Sequence, residues 1–378
     1  MNFVFYTHSL KSDWNHGNAH FLRGLLRELV ALGHHVTALE PADGWSRSNL
    51  VADQGEAAVT RFDKDFPELS SRAYGPGFDH EAAIADADVV IVHEWTDPEL
   101  VERLGRARRV GGSFTLVFHD THHRAVSRRS EIAGMKLDDY DLVLAFGETL
   151  RQRYLRAGWG RRVVAWHEAA DTRLFKPLPA IERTRDLIWV GNWGDGERTE
   201  ELHRFLLAPA RALRLSGSVR GVRYPPEALS AVKAAGLTYG GWIANADVPL
   251  EFARHRLTLH IPRRPYVESL SGIPTIRVFE ALASGIPLIC APWEDSEALF
   301  RKNRDFLVAR DTNEMKASIR AVLGDPALAA SLAESGLETI RARHTCRHRV
   351  EELFAHLDAI GGVRRRPLST PTQMEAAK

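Results

Sequence analysis

Short apolar runs alternate with stretches of helical periodicity along most of the chain, and polar loops separate them. Residues 2–7 form the first apolar run, and a polar loop follows. The next stretch carries apolar residues at helical spacing and ends at Gly33, before a second apolar run at residues 36–39. This order of strand, glycine-containing loop, helix and strand predicts a parallel βαβ unit. Such a unit places its first loop at the carboxyl edge of the sheet, where ligands of open α/β folds bind.

The alternation continues in two series. Further strands of the first series are predicted at residues 88–92, 114–118, 142–146 and 162–166, whereas residues 43–80 show no clean period and stay unassigned. A second series opens with a strand at residues 188–190, a glycine-rich loop at 191–196 and a long helix from Glu197. Its later strands are predicted at residues 219–222, 238–239, 257–261, 288–291 and 305–308.

Two such series predict an α/β protein with two Rossmann-like domains that face each other across a deep cleft. We expect the first domain over residues 1–170 and the second over residues 171–360, with a last helix that could pack back on the first domain. Residues 361–378 contain three consecutive arginines followed by Pro, Ser, Thr and Gln, a composition typical of a flexible tail.

The stretch from residue 268 to 294 has the clearest candidate chemistry. A polar loop at residues 269–274 leads into a short helix with Thr275 at the N-cap position, and Gly285 ends it. Backbone N–H groups at a helix N-terminus attract anions, and Arg277 adds a guanidinium fork for phosphate oxygens. Glu280, one turn further on, could accept hydrogen bonds from sugar hydroxyls. A plain intrahelical ion pair between Arg277 and Glu280 is the alternative.

Polar clusters follow several strands of the first series. The loop after the first strand contains Asp13, His16 and Gly17, and Gly17 would let a ligand approach the backbone closely. His93 follows another strand, and His119 and Asp120 follow the next. We predict a positioning or acid–base role for His119 first, Asp120 second and His93 third. Capping or surface roles are the alternative.

A metal site is not predicted at this edge. The segment with His119, Asp120, His122 and His123 contains good ligands for zinc or manganese. However, neighbouring side chains of an extended segment point to opposite sides, so at most two of the four could converge.

Composition excludes several other classes of protein. The formal net charge of the 378 residues is +1, so no strong field favours nucleic acid or an anionic membrane. Cys290 and Cys346 fit no metal or redox spacing, as expected for a reducing compartment. No stretch is apolar enough for an integral membrane segment, and we expect a cytoplasmic location. The absence of a GxGxxG spacing disfavours a nicotinamide dehydrogenase.

Three motifs resemble GT-B glycosyltransferases. LVALGHHV at residues 29–36 is similar to the usual end of the first helix, and ADTRLFKP at residues 170–177 is similar to the interdomain segment of the family. FEALASGIP at residues 279–287 resembles the donor-site helix of the group-1 enzymes. VGNWGDGERTEEL together with GIPTIRVFEALASGIPL more narrowly resembles the branch named for spore maturation protein CgeB.

The resemblance implies transfer of a sugar from a nucleotide-diphosphate sugar to a separate acceptor, which could be a small molecule, a glycan or a lipid-linked compound. The donor would be held mainly by the second domain, with UDP as the commonest nucleotide and no cofactor. Retention of configuration without a metal is favoured. The oligomeric state stays open.

Several residues carry the implied donor site. Glu280 matches the second glutamate of the family's E-x7-E pair, whereas the first falls at Gly272, with Glu268 as an ill-spaced substitute. Arg277, with Ser271 and Thr275, would take the diphosphate, and Asp13, His16 and Gly17 would face it across the cleft. The remaining donor-side candidates are Gly272, Ile273, Gly191, Asn192 and Arg198.

Two other functions stay open. A nucleotide-sugar epimerase would share the fold and would need carboxylates in the cleft. A non-catalytic module that binds a nucleotide sugar or a partner glycosyltransferase is favoured by the missing first glutamate at Gly272.

Overall fold

The computed structural model describes residues 1–361, and the tail predicted at residues 361–378 lies almost wholly outside this part. The first half is built on a seven-stranded sheet of order β3-β2-β1-β4-β5-β6-β7, in which every pair is parallel. Its strands are β1 (Asn2–Tyr6), β2 (His35–Pro41), β3 (Ser71–Tyr74), β4 (Val89–His93), β5 (Thr115–Asp120), β6 (Leu142–Ala145) and β7 (Val163–Ala165).

Helices connect these strands and cover the sheet. They are α1 (Ala19–Ala31), α2 (Trp45–Gln54), α3 (Glu56–Asp65), α4 (His80–Ile84), α5 (Pro98–Arg109), α6 (Arg124–Ser127), α7 (Arg129–Ala133) and α8 (Glu148–Ala157). Burial on both sheet faces explains the unbroken apolar run of β4, whose five residues are all buried.

The second half contains a six-stranded parallel sheet of order β10-β9-β8-β11-β12-β13. Its strands are β8 (Arg185–Val190), β9 (Gly217–Arg220), β10 (Thr238–Tyr239), β11 (His255–His260), β12 (Leu288–Cys290) and β13 (Leu307–Val308). Its helices are α9 (Thr199–Leu202), α10 (Ala208–Leu213), α11 (Pro226–Ala234), α12 (Val248–Arg254), α13 (Arg264–Glu268), α14 (Ile276–Ala283), α15 (Thr312–Gly324), α16 (Pro326–Arg343) and α17 (Cys346–Ala359).

Two Rossmann-like halves, as expected, therefore make up the described chain. Their sheets span residues 2–165 and 185–308, and the domain boundary at residue 170 stays a prediction. The last helix, α17, packs against α1 of the first half, and the Trp166 indole donates a hydrogen bond of 3.0 Å to the Arg349 carbonyl. None of the helices within residues 1–361 combines the length and the apolar character needed to cross a bilayer.

Three local predictions differ from the structure. The unassigned residues 43–80 contain α2, α3 and the edge strand β3, whose mixed exposure removes a clean period. Directly before the predicted loop at residues 269–274 lies α13, in a segment for which no element was predicted. The long helix expected from Glu197 is broken by a π-helical turn at His203–Leu207, which Pro209 follows at the start of α10. Because proline lacks an N–H and crowds the preceding turn, it disfavours regular α-helical bonding there.

Candidate active site

Both sheets have a switch point where the strand order reverses, and ligands of open parallel sheets bind at such points. In the first sheet it lies between β1 and β4, and in the second between β8 and β11. The loops that leave these strands therefore frame the expected site. In the structure they meet across the cleft: the Asn192 amide, after β8, hydrogen-bonds to Asn15, after β1.

Two arginines converge on Asn192 at the second switch point. The Arg198 guanidinium donates to the Asn192 side-chain oxygen at 2.6 Å, and Arg263, from the loop after β11, donates to the same oxygen at 3.0 Å. Arg198 also donates to the Ile261 carbonyl at 3.1 Å and lies over the Trp189 ring. Burial, and then the neighbouring Arg263, lower the pKa of Arg198 to about 9. Arg263 is paired with Glu197 and, at 3.8 Å, with Asp195, whereas no ion pair joins Arg198 to a carboxylate within residues 1–361. A buried cation without a carboxylate partner is suited to an anionic ligand.

The N-terminus of α14 lies beside this pair. Thr275 occupies the N-cap position, as predicted, but its hydroxyl contacts the His260 imidazole at 3.1 Å and does not cap the helix. Burial, followed by the charges of Arg198 and Arg277, lowers the pKa of His260 to about 3. Arg277 thus belongs to the same cationic cluster, which we define as Arg198, Arg263 and Arg277.

Glu280 is fully buried where the two halves meet. It forms an ion pair with Arg277 on its own helix and accepts from the Asn245 amide at 3.1 Å. His20 of α1 donates to it from Nδ1 at 3.0 Å, since Nε2 of that ring accepts the Asp171 N–H at 2.7 Å. Burial alone would raise the pKa of Glu280, but Arg277 and these hydrogen bonds lower it below its ordinary value. The carboxylate is therefore charged, and donors of both halves occupy it.

The loop between β1 and α1 of the first half contacts the second half. Asp13 accepts from Arg23 at 2.8 Å, from the Trp242 indole at 3.2 Å and from the Asn245 N–H at 3.0 Å. A Cβ at Gly17 would lie 3.1 Å from the Ile276 side chain at the start of α14. The loop thus faces the α14 N-terminus, as the sequence suggested, and two donors from the second half occupy Asp13.

A row of histidine rings lies at the carboxyl edge of the first sheet. The ring centroids of His8 and His16 are 5.0 Å apart, those of His16 and His93 6.5 Å, and those of His93 and His119 5.8 Å. Burial, with Arg124 second, lowers the pKa of His8 to about 4, and burial lowers that of His119 to about 3. These rings are therefore neutral at pH 7. Buried Nε2 atoms of His16 and His119 have no partner among the described residues.

Comparison with known proteins identifies the architecture. Residues 198–355 match a family described as glycosyl transferase-like, and a search of the curated proteins found no significant match. Sucrose-phosphate synthase from Thermosynechococcus elongatus superposes with a TM-score of 0.69 at 16% identity, over 95% of this chain and 99% of that one.

Two further structures are similar. Anabaena HepE in complex with UDP and glucose superposes with a TM-score of 0.67 at 14% identity, over 95% of this chain and 100% of that one. An α-glucosyltransferase in complex with UDP and a 13-mer DNA superposes with a TM-score of 0.67 at 13% identity, over 96% of this chain and 99% of that one. The fold is GT-B.

Within the GT-B cleft, the loop before α14 differs from the anion site expected there. The Gly272 N–H donates to the Glu294 carbonyl at 2.8 Å and the Ile273 N–H to the Leu270 carbonyl at 3.3 Å, so neither is free. The Ile273 side chain is buried in the apolar core of the first half, against Gly147. The prediction that Ile273 lines the donor site is therefore wrong for its side chain, because the loop packs on the other half.

Other predicted residues are also engaged. The Ser271 carbonyl accepts from the Thr149 hydroxyl at 2.6 Å, a contact between the halves. The Gly191 carbonyl accepts from Tyr224 at 2.9 Å. Glu268, the substitute for the missing glutamate, is exposed at the end of α13. Asp120 accepts from the Tyr154 hydroxyl at 2.6 Å and from the His122 N–H at 3.0 Å.

Catalytic roles for His93 and Asp120 stay predictions, and both side chains are engaged by first-half residues. Burial raises the pKa of Asp120 to about 6 although the Tyr154 hydrogen bond lowers it. Its two oxygens are used inside the first half, which favours a structural role. His93 contacts the Thr121 hydroxyl at 2.9 Å through Nε2.

Sequence reasoning missed Arg263, His260, His20 and Asn245. Arg263 follows a predicted strand at the switch point of the second series, a position that could have marked it. His20 and Asn245 have no such local signal, because Glu280 brings them together across large separations in the chain, 260 residues for His20. Among residues 1–361, no group of three or more His, Cys, Asp or Glu side chains could hold a metal ion.

Proposed function

We propose that this protein is a glycosyltransferase that moves a sugar from a UDP-sugar to an acceptor bound on the first half. The observation that carries the proposal is the cationic cluster of Arg198, Arg263 and Arg277 at the switch point of the second sheet. The family match over residues 198–355 supports it. The presence of UDP in the HepE and α-glucosyltransferase complexes supports UDP as the nucleotide.

The proposed reaction needs stabilisation of a leaving diphosphate. The bond between the anomeric carbon and the diphosphate oxygen breaks, a bond from that carbon to an acceptor hydroxyl oxygen forms, and the hydroxyl proton passes to the departing UDP. Negative charge grows on the diphosphate as the bond breaks. Preorganised cations in a site shielded from water stabilise such charge strongly. We propose that Arg198, Arg263 and Arg277 supply this stabilisation without a metal, and that configuration is retained, as in the group-1 enzymes.

The histidine row supplies the acceptor side of the proposal. His16 and His119 each have a buried Nε2 atom without a partner within residues 1–361, so each could hydrogen-bond a sugar or acceptor hydroxyl. Because the pKa of His119 is lowered to about 3, it is a weak base. We propose that it positions the hydroxyl. The near-neutral net charge of +1 favours an acceptor other than nucleic acid.

A non-catalytic module is the second candidate function. The observation that favours it is the occupied state of Glu280, which His20, Asn245 and Arg277 hold inside the contact between the halves. A donor hydroxyl could reach this carboxylate only after the contact with His20 opens.

A binding and turnover experiment separates these candidates. The full chain is titrated calorimetrically with UDP and with uridine, and UDP release from UDP-sugars is followed with and without acceptor mixtures. We expect UDP to bind more tightly than uridine, with at least a tenfold loss in Arg198→Gln and in Arg263→Gln. The control is Arg320→Gln, an exposed arginine of α15.

Three outcomes are decisive. Acceptor-dependent UDP release with a glycosylated product supports transfer. UDP binding without transfer to any acceptor supports the binding module. Equal affinity for UDP and uridine, or equal UDP affinity in all variants, overturns the donor site.

A further inference from the structure

An open, arginine-lined cavity lies on the first half at its border with the second, and it shares no lining residue with the cationic cluster. Its volume is about 410 Å³, and residues of α7 and α8 line it together with Ser269, which follows α13. Its principal lining residues are Arg129, Arg153, Arg156, Trp159, Thr149 and Ser269. The volume lies in the range of small-molecule sites, roughly 300–1,000 Å³.

The three arginines of this cavity lack carboxylate partners. Neighbouring arginines on the same surface are neutralised: Arg124 and Arg128 pair with Glu131, and Arg151 pairs with Glu148. Within residues 1–361, no ion pair joins Arg129, Arg153 or Arg156 to a carboxylate, whereas the arginines of α5 are all paired with carboxylates. Three like charges that face one cavity repel one another unless an anion lies between them.

Further contacts give the cavity polar and aromatic surfaces in addition to its positive charge. The Nε atom of Arg153 is buried and has no partner among the described residues, while its terminal nitrogen donates to the Ser269 carbonyl at 3.3 Å. The Arg129 guanidinium lies 5.7 Å from the centroid of the Trp159 ring, which packs edge-on against Tyr154. A cation thus lies beside an aromatic ring. A ligand that fits both has an anionic group and an apolar or ring-shaped remainder.

We propose that this cavity binds a phosphorylated small molecule, with its phosphate held by Arg129, Arg153 and Arg156 and its remainder against Trp159. Guanidinium groups bind both carboxylate and phosphate oxygens in bidentate geometry, and a phosphate offers more oxygen atoms to three guanidinium groups than a carboxylate does. The site lies on the first half, but Ser269 closes it from the second. Two residues further on, the Ser271 carbonyl accepts the 2.6 Å hydrogen bond from Thr149 of the cavity wall. An occupant therefore holds the halves together beside the loop that leads into α14.

Calorimetric titration of the full chain with inorganic pyrophosphate and with glucose 1-phosphate tests this. We expect both to bind, with at least a tenfold loss of affinity in Arg153→Gln/Arg156→Gln. The control is Arg347→Gln, an exposed arginine of α17 that pairs with Glu351 and should keep its affinity. Each titration is repeated in the Arg198→Gln background, in which binding of a diphosphate to the cationic cluster is weakened. Trp159→Phe should weaken glucose 1-phosphate more than pyrophosphate.

The outcomes distinguish this cavity from the donor site. Loss of phosphate binding in Arg198→Gln but not in Arg153→Gln/Arg156→Gln would overturn the proposal and leave the proposed function standing. Phosphate binding that survives in Arg198→Gln and is lost in Arg153→Gln/Arg156→Gln supports the cavity even if UDP does not bind at all. Equal affinity in every variant overturns it. Binding to phosphatidic acid vesicles, but not to either soluble probe, would also overturn it and assign the arginines to a lipid headgroup.

Discussion

Gly272 decides whether the missing glutamate of the donor motif could simply be restored. Its φ is +90°, a backbone conformation that residues other than glycine rarely adopt. A Cβ at this position would overlap the Ser296 hydroxyl oxygen. Its N–H is held by the Glu294 carbonyl. A glutamate at this position therefore requires a different loop.

We predict that Gly272→Glu lowers the free energy of unfolding by roughly 1–3 kcal/mol, the usual cost of a strained backbone conformation, with overlap added. Urea unfolding would measure it. Gly324→Glu is the matched control, since Gly324 has a negative φ and open space around its Cβ. Unchanged stability together with tighter UDP binding in Gly272→Glu would contradict this account of the loop.

His119 is the residue whose proposed role the structure changes most. Its ring packs against Phe21 and Trp166, at centroid distances of 6.1 and 5.0 Å, and its pKa of about 3 leaves it neutral. If His119 positions the acceptor by one neutral hydrogen bond, that bond contributes a free energy of about 0.5–1.5 kcal/mol.

We predict that His119→Gln leaves UDP affinity within twofold and lowers turnover roughly tenfold, the equivalent of one neutral hydrogen bond. Calorimetry and product formation with an established acceptor check the two parts. The pH profile of turnover should keep its shape, because a group with a pKa of about 3 does not titrate near neutrality. Unchanged turnover would remove His119 from the site.

At the scale of elements, α17 joins the end of the chain to the first half. Leu353 of this helix is completely buried in the largest apolar cluster, which also contains Phe3, Leu25 and Leu29 of the first half. The first half therefore depends on a helix that follows the second sheet, because two sheets alone leave the apolar face of α1 exposed.

We predict that Leu353→Ala lowers the free energy of unfolding by about 2–5 kcal/mol, through lost burial and the cavity it leaves. The control is Leu229→Ala on α11, where the leucine is 37% exposed and the expected change is about 0.5 kcal/mol or less. Thermal and urea unfolding measure both. Equal effects of the two substitutions would show that α17 does not complete the core.

At the scale of the whole molecule, the fold buries many histidines that are neutral at pH 7. Burial is the main cause that lowers the pKa of His8 and His123 to about 4 and that of His119 to about 3, from 6.5. The unfolded chain therefore binds more protons below pH 6.5 than the folded one. Each such group lowers the free energy of unfolding by about 1.4 kcal/mol per pH unit between pH 6.5 and its folded pKa.

Buried carboxyl groups act in the opposite direction but are fewer. Burial raises the pKa of Asp120 to about 6, and burial, with the nearby Glu280 second, raises the pKa of Glu168 above its usual range. These groups take up protons in the folded state first and so stabilise it as the pH falls.

We predict that the free energy of unfolding is lower at pH 5 than at pH 7.5 by at least about 2 kcal/mol, since the histidines outweigh these carboxyl groups. Urea titrations at the two pH values measure the difference. In His119→Gln, which lacks one of the depressed groups, the difference should shrink. Equal or greater stability at pH 5 would show that the buried carboxyl groups dominate.

The sequence by itself determined the alternation of strands and helices, the two parallel sheets and the edge at which polar loops collect. It also placed α14 and its N-cap at Thr275, because hydrophobic periodicity and capping depend on neighbours along the chain. Tertiary structure alone decided which loop residues meet. Arg263 joins Arg198, Ile273 turns into the other half, and His20 closes over Glu280. Packing between distant segments fixes such contacts, and local patterns carry no record of it.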